Sequence, residues 1–277
     1  MGGHRLPAVA TGAAAAAGVA ALALAWLLRR GTAQGGVRSS TSGGAKAKRP
    51  DGTAPLKPYH RGMREREYLR LIPEAEMRQL RSLLRRVYAA RGWADDVGAR
   101  EAAWEAVVAA AQEPHNGAWD PSFSPDTVSS QQLQSLLALI ERTFLGGLLS
   151  DRVRDAKRPP LTIKLGVDRN DPYSWLSGLN DDNIIFVNKN RWRDEISDGN
   201  PMNFEGAICR SKLEALAHAL GHELVHALVL NFFPAMDARC EAYTADDKHG
   251  PVFMLLNKRL FGHVGHASHR LFGAPPG

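Results

Sequence analysis

Cysteine is nearly absent from this chain. Cys209 and Cys240 are the only two in 277 residues. They are too few for a disulfide framework and do not form the Cys-x-x-Cys pairs of a zinc ribbon, so both read as free thiols. Acidic residues are missing altogether from positions 1–50, where seven basic ones stand: Arg5, Arg29, Arg30, Arg38, Lys46, Lys48 and Arg49. The formal charge of +6 therefore misdescribes the remainder. All 29 acidic residues fall in 51–277, against the 28 basic residues left from a total of 35, a balance of −1. A body so close to neutral has no overall field drawing it to a polyanion, and nucleic acid is a partner its charge does not support. No internal repeat is present. Position 6 is Leu rather than the Ser or Thr of a myristoylation motif.

Charge is also missing from Leu6 to Leu28, a run of 23 residues and long enough to span a bilayer. Much of it is Ala and Gly, which leaves its insertion marginal. Trp26 and Arg29-Arg30 fit an interfacial anchor, and the heavier positive charge after the run would keep the rest of the chain on the cytoplasmic side. Membrane attachment through residues 6–28 is thus one reading. An organellar transit peptide (mitochondrion or plastid) and a cleaved secretory signal are the alternatives.

Residues 31–60, rich in Gly, Ser, Lys and Pro, read as a flexible linker, and 61–125 as a helical region. Within the latter, Pro73, Glu74 and Glu76 open a helix that carries Met77, Leu80, Leu84, Val87 and Tyr88 and closes near Gly92. The Arg-rich face at Arg78, Arg81, Arg85 and Arg86 reads as its solvent side. A second helix is expected over 97–112, a loop between Pro114 and Pro125, and a long helix over 128–145. The first two helices either pack on the C-terminal domain or present their apolar faces to a partner. Residues 248–277 contain no acid, and 269–277 read as a disordered tail.

The chemistry lies at 222–226, His-Glu-Leu-Val-His. Ser211 and Glu214 form a capping-box pattern. Leu213, Leu216, Ala217, Leu220, Leu224, Ala227 and Leu228 then recur at the spacing of an amphipathic helix, which Pro234 stops. Two His four residues apart on one helical face stand about 6 Å apart along the axis and can share one Zn²⁺. Glu223, beside the first of them, can polarise a metal-bound water as general base. His218 lies on the same face, where packing or support of a ligand suits it better than ligation. A third ligand is needed. It does not come six residues on, where Phe232 stands. Glu241, Asp246, Asp247, His249, His263, His266 and His269 are candidates, Cys240 a weaker one. His249 heads His249-Gly250-Pro251-Val252-Phe253, before a second helical run whose C-terminal end suits Gly262.

The pairing of His222-Glu223-x-x-His226 with His249-Gly250-Pro251-x-Phe253 resembles the SprT-like metalloprotease family, in particular the Spartan-like protease domain. Leu136–Leu149 resembles the family's opening helix with its Phe-x-x-x-Leu ending, Leu161–Val167 its first strand, and Asn183–Asn188 the strand before the zinc helix. The likeness covers about half the chain, and the domain is placed at 126–268. It implies an α+β fold of minimal zincin type, a small sheet packed on the zinc-binding helix. It also implies a Zn²⁺ held by His222, His226 and His249, with Glu223 as general base for hydrolysing peptide bonds of protein substrates. The longer connection from His226 keeps Glu241 as an alternative ligand. A non-catalytic scaffold, or a DNA-dependent protease acting on DNA–protein crosslinks, is the alternative function. No Tyr or Arg stands at a spacing that marks it as oxyanion stabiliser.

Overall fold

Helix α1 (Glu74–Arg91) begins where Pro73 ends the extended chain, has Glu74 and Glu76 in its first turn, and stops at Gly92 in the left-handed conformation. The computed structural model describes residues 70, 72–166, 176–179, 182–188, 196–233 and 249–264. The readings for the hydrophobic segment 6–28, the linker 31–60, the candidate ligands Cys240, Glu241, Asp246, Asp247, His266 and His269, and the tail lie outside those residues. Among the described residues no helix is long and apolar enough to cross a membrane.

Helix α2 (Val97–Ala111) is capped by the Asp96 carboxylate, which accepts from the Ala99 amide at 2.8 Å. It is so rich in Ala that one large side chain, Trp104, does most of its docking. The expected loop after it holds two short 3₁₀ turns, Pro114–Asn116 and Pro125–Thr127. Helix α3 (Ser130–Leu145) starts from a complete capping box between Ser129 and Gln132. The long helix expected over 128–145 forms as α3, and the stretch 136–149 likened to the family's opening helix runs on past it into a second helix. Gly146 and Gly147 both have positive φ, and α4 (Leu148–Asp155) sets off in a new direction. Gly146 is required there. A Cβ would lie 2.5 Å from that of Ala90 on α1, so the bend doubles as the contact between the two helices. The buried Glu141 carboxylate secures the bend by accepting from the amide and hydroxyl of Ser150, at 2.9 and 2.7 Å.

The fold is α+β. One sheet has the order β1-β3-β2, from β1 (Thr162–Gly166), β2 (Leu176–Leu179) and β3 (Ile184–Asn188). β1 and β3 are parallel with Ile163 opposite Ile185, and β2 is antiparallel to β3. Gln134 of α3 covers the start of β1, donating to the Leu161 carbonyl and accepting from the Ile163 amide, both at 3.0 Å. A separate hairpin joins β4 (Met202–Phe204) to β5 (Ala207–Cys209) through Glu205-Gly206.

Helix α5 (Lys212–Phe232) comes directly after the hairpin and runs through the middle of the molecule. Its expected amphipathic character is not what forms. Buried residues occupy every face, because α2, α3, α4, the hairpin and the C-terminal helix pack around it. A helix enclosed on all sides has little need of a polar face. Its N-terminus keeps half of the expected capping box. Ser211 Oγ accepts from the Glu214 amide at 3.1 Å, while the Glu214 carboxylate reaches past Ser211 to the amide of Arg210. At the other end Asn231 donates to Asn183 Oδ1 at 3.0 Å and ties the helix to the entrance of β3. Helix α6 (Pro251–Leu256) continues into a π-helical turn, Asn257–Phe261, closed by Gly262.

Candidate metal centre

His222 and His226 lie one turn apart in α5, as the i, i+4 spacing requires. His249 reaches them from the residue pair immediately before α6, where Pro251 begins the helix. The three imidazoles converge. His249 Nε2 is 3.0 Å from His222 Nε2 and 3.1 Å from His226 Nε2. Four ligands arranged tetrahedrally at zinc–nitrogen distances of about 2.0–2.1 Å stand about 3.3 Å from one another, so the observed spacing fits one ion of that size. Among the described residues these three form a group close enough to hold a metal. Phe253 packs against all of them, its ring centroid 4.9 Å from that of His222 and 4.5 Å from those of His226 and His249.

Glu223 is buried, and its Oε2 has no hydrogen-bond partner among the described residues. Burial pushes its carboxyl up to about 7, with His222 pulling it back and Glu205 adding to the rise. An orphaned carboxylate oxygen deep in a protein is costly unless something polar belongs beside it. Glu223 directly follows the first of the three histidines in α5, and the cluster has half-open ground at His226 and His249.

Of the other candidates, His218 and His263 are buried and bonded to one another rather than to the cluster, His218 Nδ1 to His263 Nε2 at 2.9 Å. Burial drives His218 well below the usual imidazole range, and His263 adds to the effect. His263 is lowered by burial too, against the pull of Glu205. Both are thus held neutral. Cys209 is buried, with its thiol pushed up to about 12 chiefly by that burial.

Glu205, which sequence reasoning did not single out, faces the centre from behind. Its Oε1 is 2.8 Å from His222 Nδ1, and its Oε2 is 2.7 Å from Asn257 Nδ2 and 3.3 Å from His263 Nδ1. Burial alone would raise this carboxyl. The facing His222 and the hydrogen bonds from His222 and His263 outweigh it and hold the group below the usual carboxylate range. A lone Glu in a hairpin turn, 17 positions before its partner, leaves no periodic or motif signal by which to find it. No family model, curated protein or solved structure matches this chain.

Proposed function

We propose that the chain is a zinc-dependent endopeptidase of SprT-like type, with a zincin-type arrangement around the α5 helix, acting on protein substrates. The observation that carries the reading is the convergence of three imidazole Nε2 atoms, the first of them on the residue that precedes a buried Glu223 whose Oε2 has no hydrogen-bond partner among the described residues. Three neutral nitrogen ligands leave a fourth position open, as hydrolytic zinc sites require. A zinc ion held there supplies a Lewis acid for the scissile carbonyl and lowers the pKa of its water. His222 and His226 are fixed by one buried helix, and His249 is pressed into place by Phe253, so the donors are arranged before any substrate arrives. Glu223 takes a proton from the attacking water on its free oxygen and delivers it to the departing amine. Burial raises this carboxyl in the metal-free chain, and the charge of a bound zinc would pull it back toward the proton-accepting form.

Replacing Glu223 by Gln keeps the shape and removes the base. The zinc-loaded Glu223→Gln protein is expected to hold one zinc per chain, like the parent, and to cleave casein or itself about 10²–10⁴-fold more slowly. A parent that binds zinc stoichiometrically and cleaves nothing would instead make this a scaffold. Single-stranded DNA titrated into the assay at low salt reads the DNA-dependent alternative directly, since activity then rises with DNA concentration.

A further inference from the structure

We propose that Glu205 is a positioning residue for the metal centre. It fixes the tautomer and orientation of His222, and it is itself held by Asn257 and His263. The inference rests on the metal-site reading of His222, His226 and His249. Its starting point is backbone geometry. Glu205 and Gly206 are the two central residues of the β4–β5 hairpin, with φ of +50° and +100°. Turns with positive φ at both positions favour Asn, Asp or Gly at the first, because a longer side chain there costs roughly 1–2 kcal/mol. A Glu that accepts this conformation, and is buried besides, is retained for what its carboxylate reaches.

What it reaches is a chain of buried groups whose proton directions can be assigned. The Asn257 amide nitrogen can only donate, so Glu205 Oε2 accepts from it at 2.7 Å, and the geometry sets His222 Nδ1 and His263 Nδ1 as further donors to the same carboxylate, at 2.8 and 3.3 Å. His263 Nδ1 also lies 2.9 Å from Asn257 Oδ1, and with that nitrogen protonated its Nε2 accepts from His218 Nδ1 at 2.9 Å. The far side of the chain is sealed by Trp104, whose ring lies 4.1 Å from that of His218. With its proton on Nδ1, His222 has its lone pair on Nε2, the atom that meets His249. The carboxylate also makes the imidazole a stronger electron donor, and loss of such a partner lowers metal affinity by about 10–100-fold.

Zinc affinity measured by competition with a chromophoric chelator tests this in three proteins: the parent, Glu205→Gln and Glu205→Asn. Gln can still accept from His222 but presents an amide where Asn257 and His263 also donate. Asn suits the turn better than Glu does, so it keeps the hairpin while withdrawing the carboxylate. Both variants are expected to bind one zinc about 10–100-fold more weakly, with an altered visible spectrum when loaded with cobalt. Folded variants whose affinity stays within about threefold of the parent would overturn the proposal. A parent that binds no zinc at all would overturn the metal reading and this inference together. If neither variant folds, long-range ¹H–¹⁵N spectra of the metal-free parent decide. A proton on His222 Nδ1 is expected, and one resident on Nε2 overturns the assignment.

Discussion

Glu223 and Glu205 are two buried carboxyls with opposite environments. The first is raised because little but His222 opposes its desolvation, and the second is lowered by the donors gathered around it. Under the proposed function the two would take different duties, Glu223 exchanging protons and Glu205 remaining charged. It also gives the metal-free protein a definite response to pH. An acid whose folded pKa lies above its unfolded value binds more protons when folded, so its contribution to stability is present below about 4.5 and is lost as pH rises to about 7. The span corresponds to about 3 kcal/mol. The buried His218 and His263, both lowered, act in the opposite sense, since charging them in the unfolded chain favours unfolding as pH falls. The Glu223 share is therefore read as a difference. Urea unfolding of metal-free protein at about pH 5 and about pH 7.5 should show Glu223→Gln gaining about 2 kcal/mol on the parent at the higher pH relative to the lower. Parallel curves for the two proteins would mean that the carboxyl ionises normally in its site.

Two elements hold the centre from outside, and Trp104 joins them. Its ring stacks near Phe144 of α3 and His218 of α5, at 4.3 and 4.1 Å, and its indole nitrogen donates to the Phe261 carbonyl at 3.1 Å. Gly221, directly before His222, is the place where α5 admits this ring. A Cβ there would stand 2.9 Å from Trp104 Cη2 and 3.2 Å from Phe261 Cδ1. Alanine would gain about 1 kcal/mol of helix propensity, but overpacking a ring with no room to retreat costs about 1–3 kcal/mol. Gly221→Ala should therefore lose about 1 kcal/mol, and at most about 2, in urea unfolding. A variant as stable as the parent would show that α2 docks more loosely than this contact implies. The boundaries of such elements were largely legible, because Pro73, Gly92, Ser211 and Gly262 act through local backbone chemistry. The docking of α2 was not. Its Ala-rich surface has no pronounced apolar stripe, and what Trp104 would meet is decided by residues 40 to 157 positions away. The enclosure of α5 was hidden for a similar reason, since its neighbours come from five other parts of the chain.

At the scale of the whole molecule, a metal held by the three converging imidazoles would be a long-range crosslink. His222 and His226 belong to the central helix, and His249 arrives after a separate stretch of chain, so an ion bound by all three ties α6 to the core. The first pair could be read from spacing alone. The third could not, because a ligand across a connection has no fixed register with the helix it joins. Here the motif at 249–253 and the observed convergence point to the same residue. A ligand that binds only the folded state adds about 2.7 kcal/mol when present at about 100 times its dissociation constant. In a domain of this size each kcal/mol raises Tm by about 2–4 °C. Calorimetry of zinc-loaded protein against chelator-treated protein should therefore show a rise of roughly 5–11 °C. His249→Ala should remove most of that rise while Glu241→Ala leaves it in place. If Glu241→Ala abolishes the shift and His249→Ala does not, the third ligand is the carboxylate, and the convergence of the three imidazoles is packing rather than a metal site.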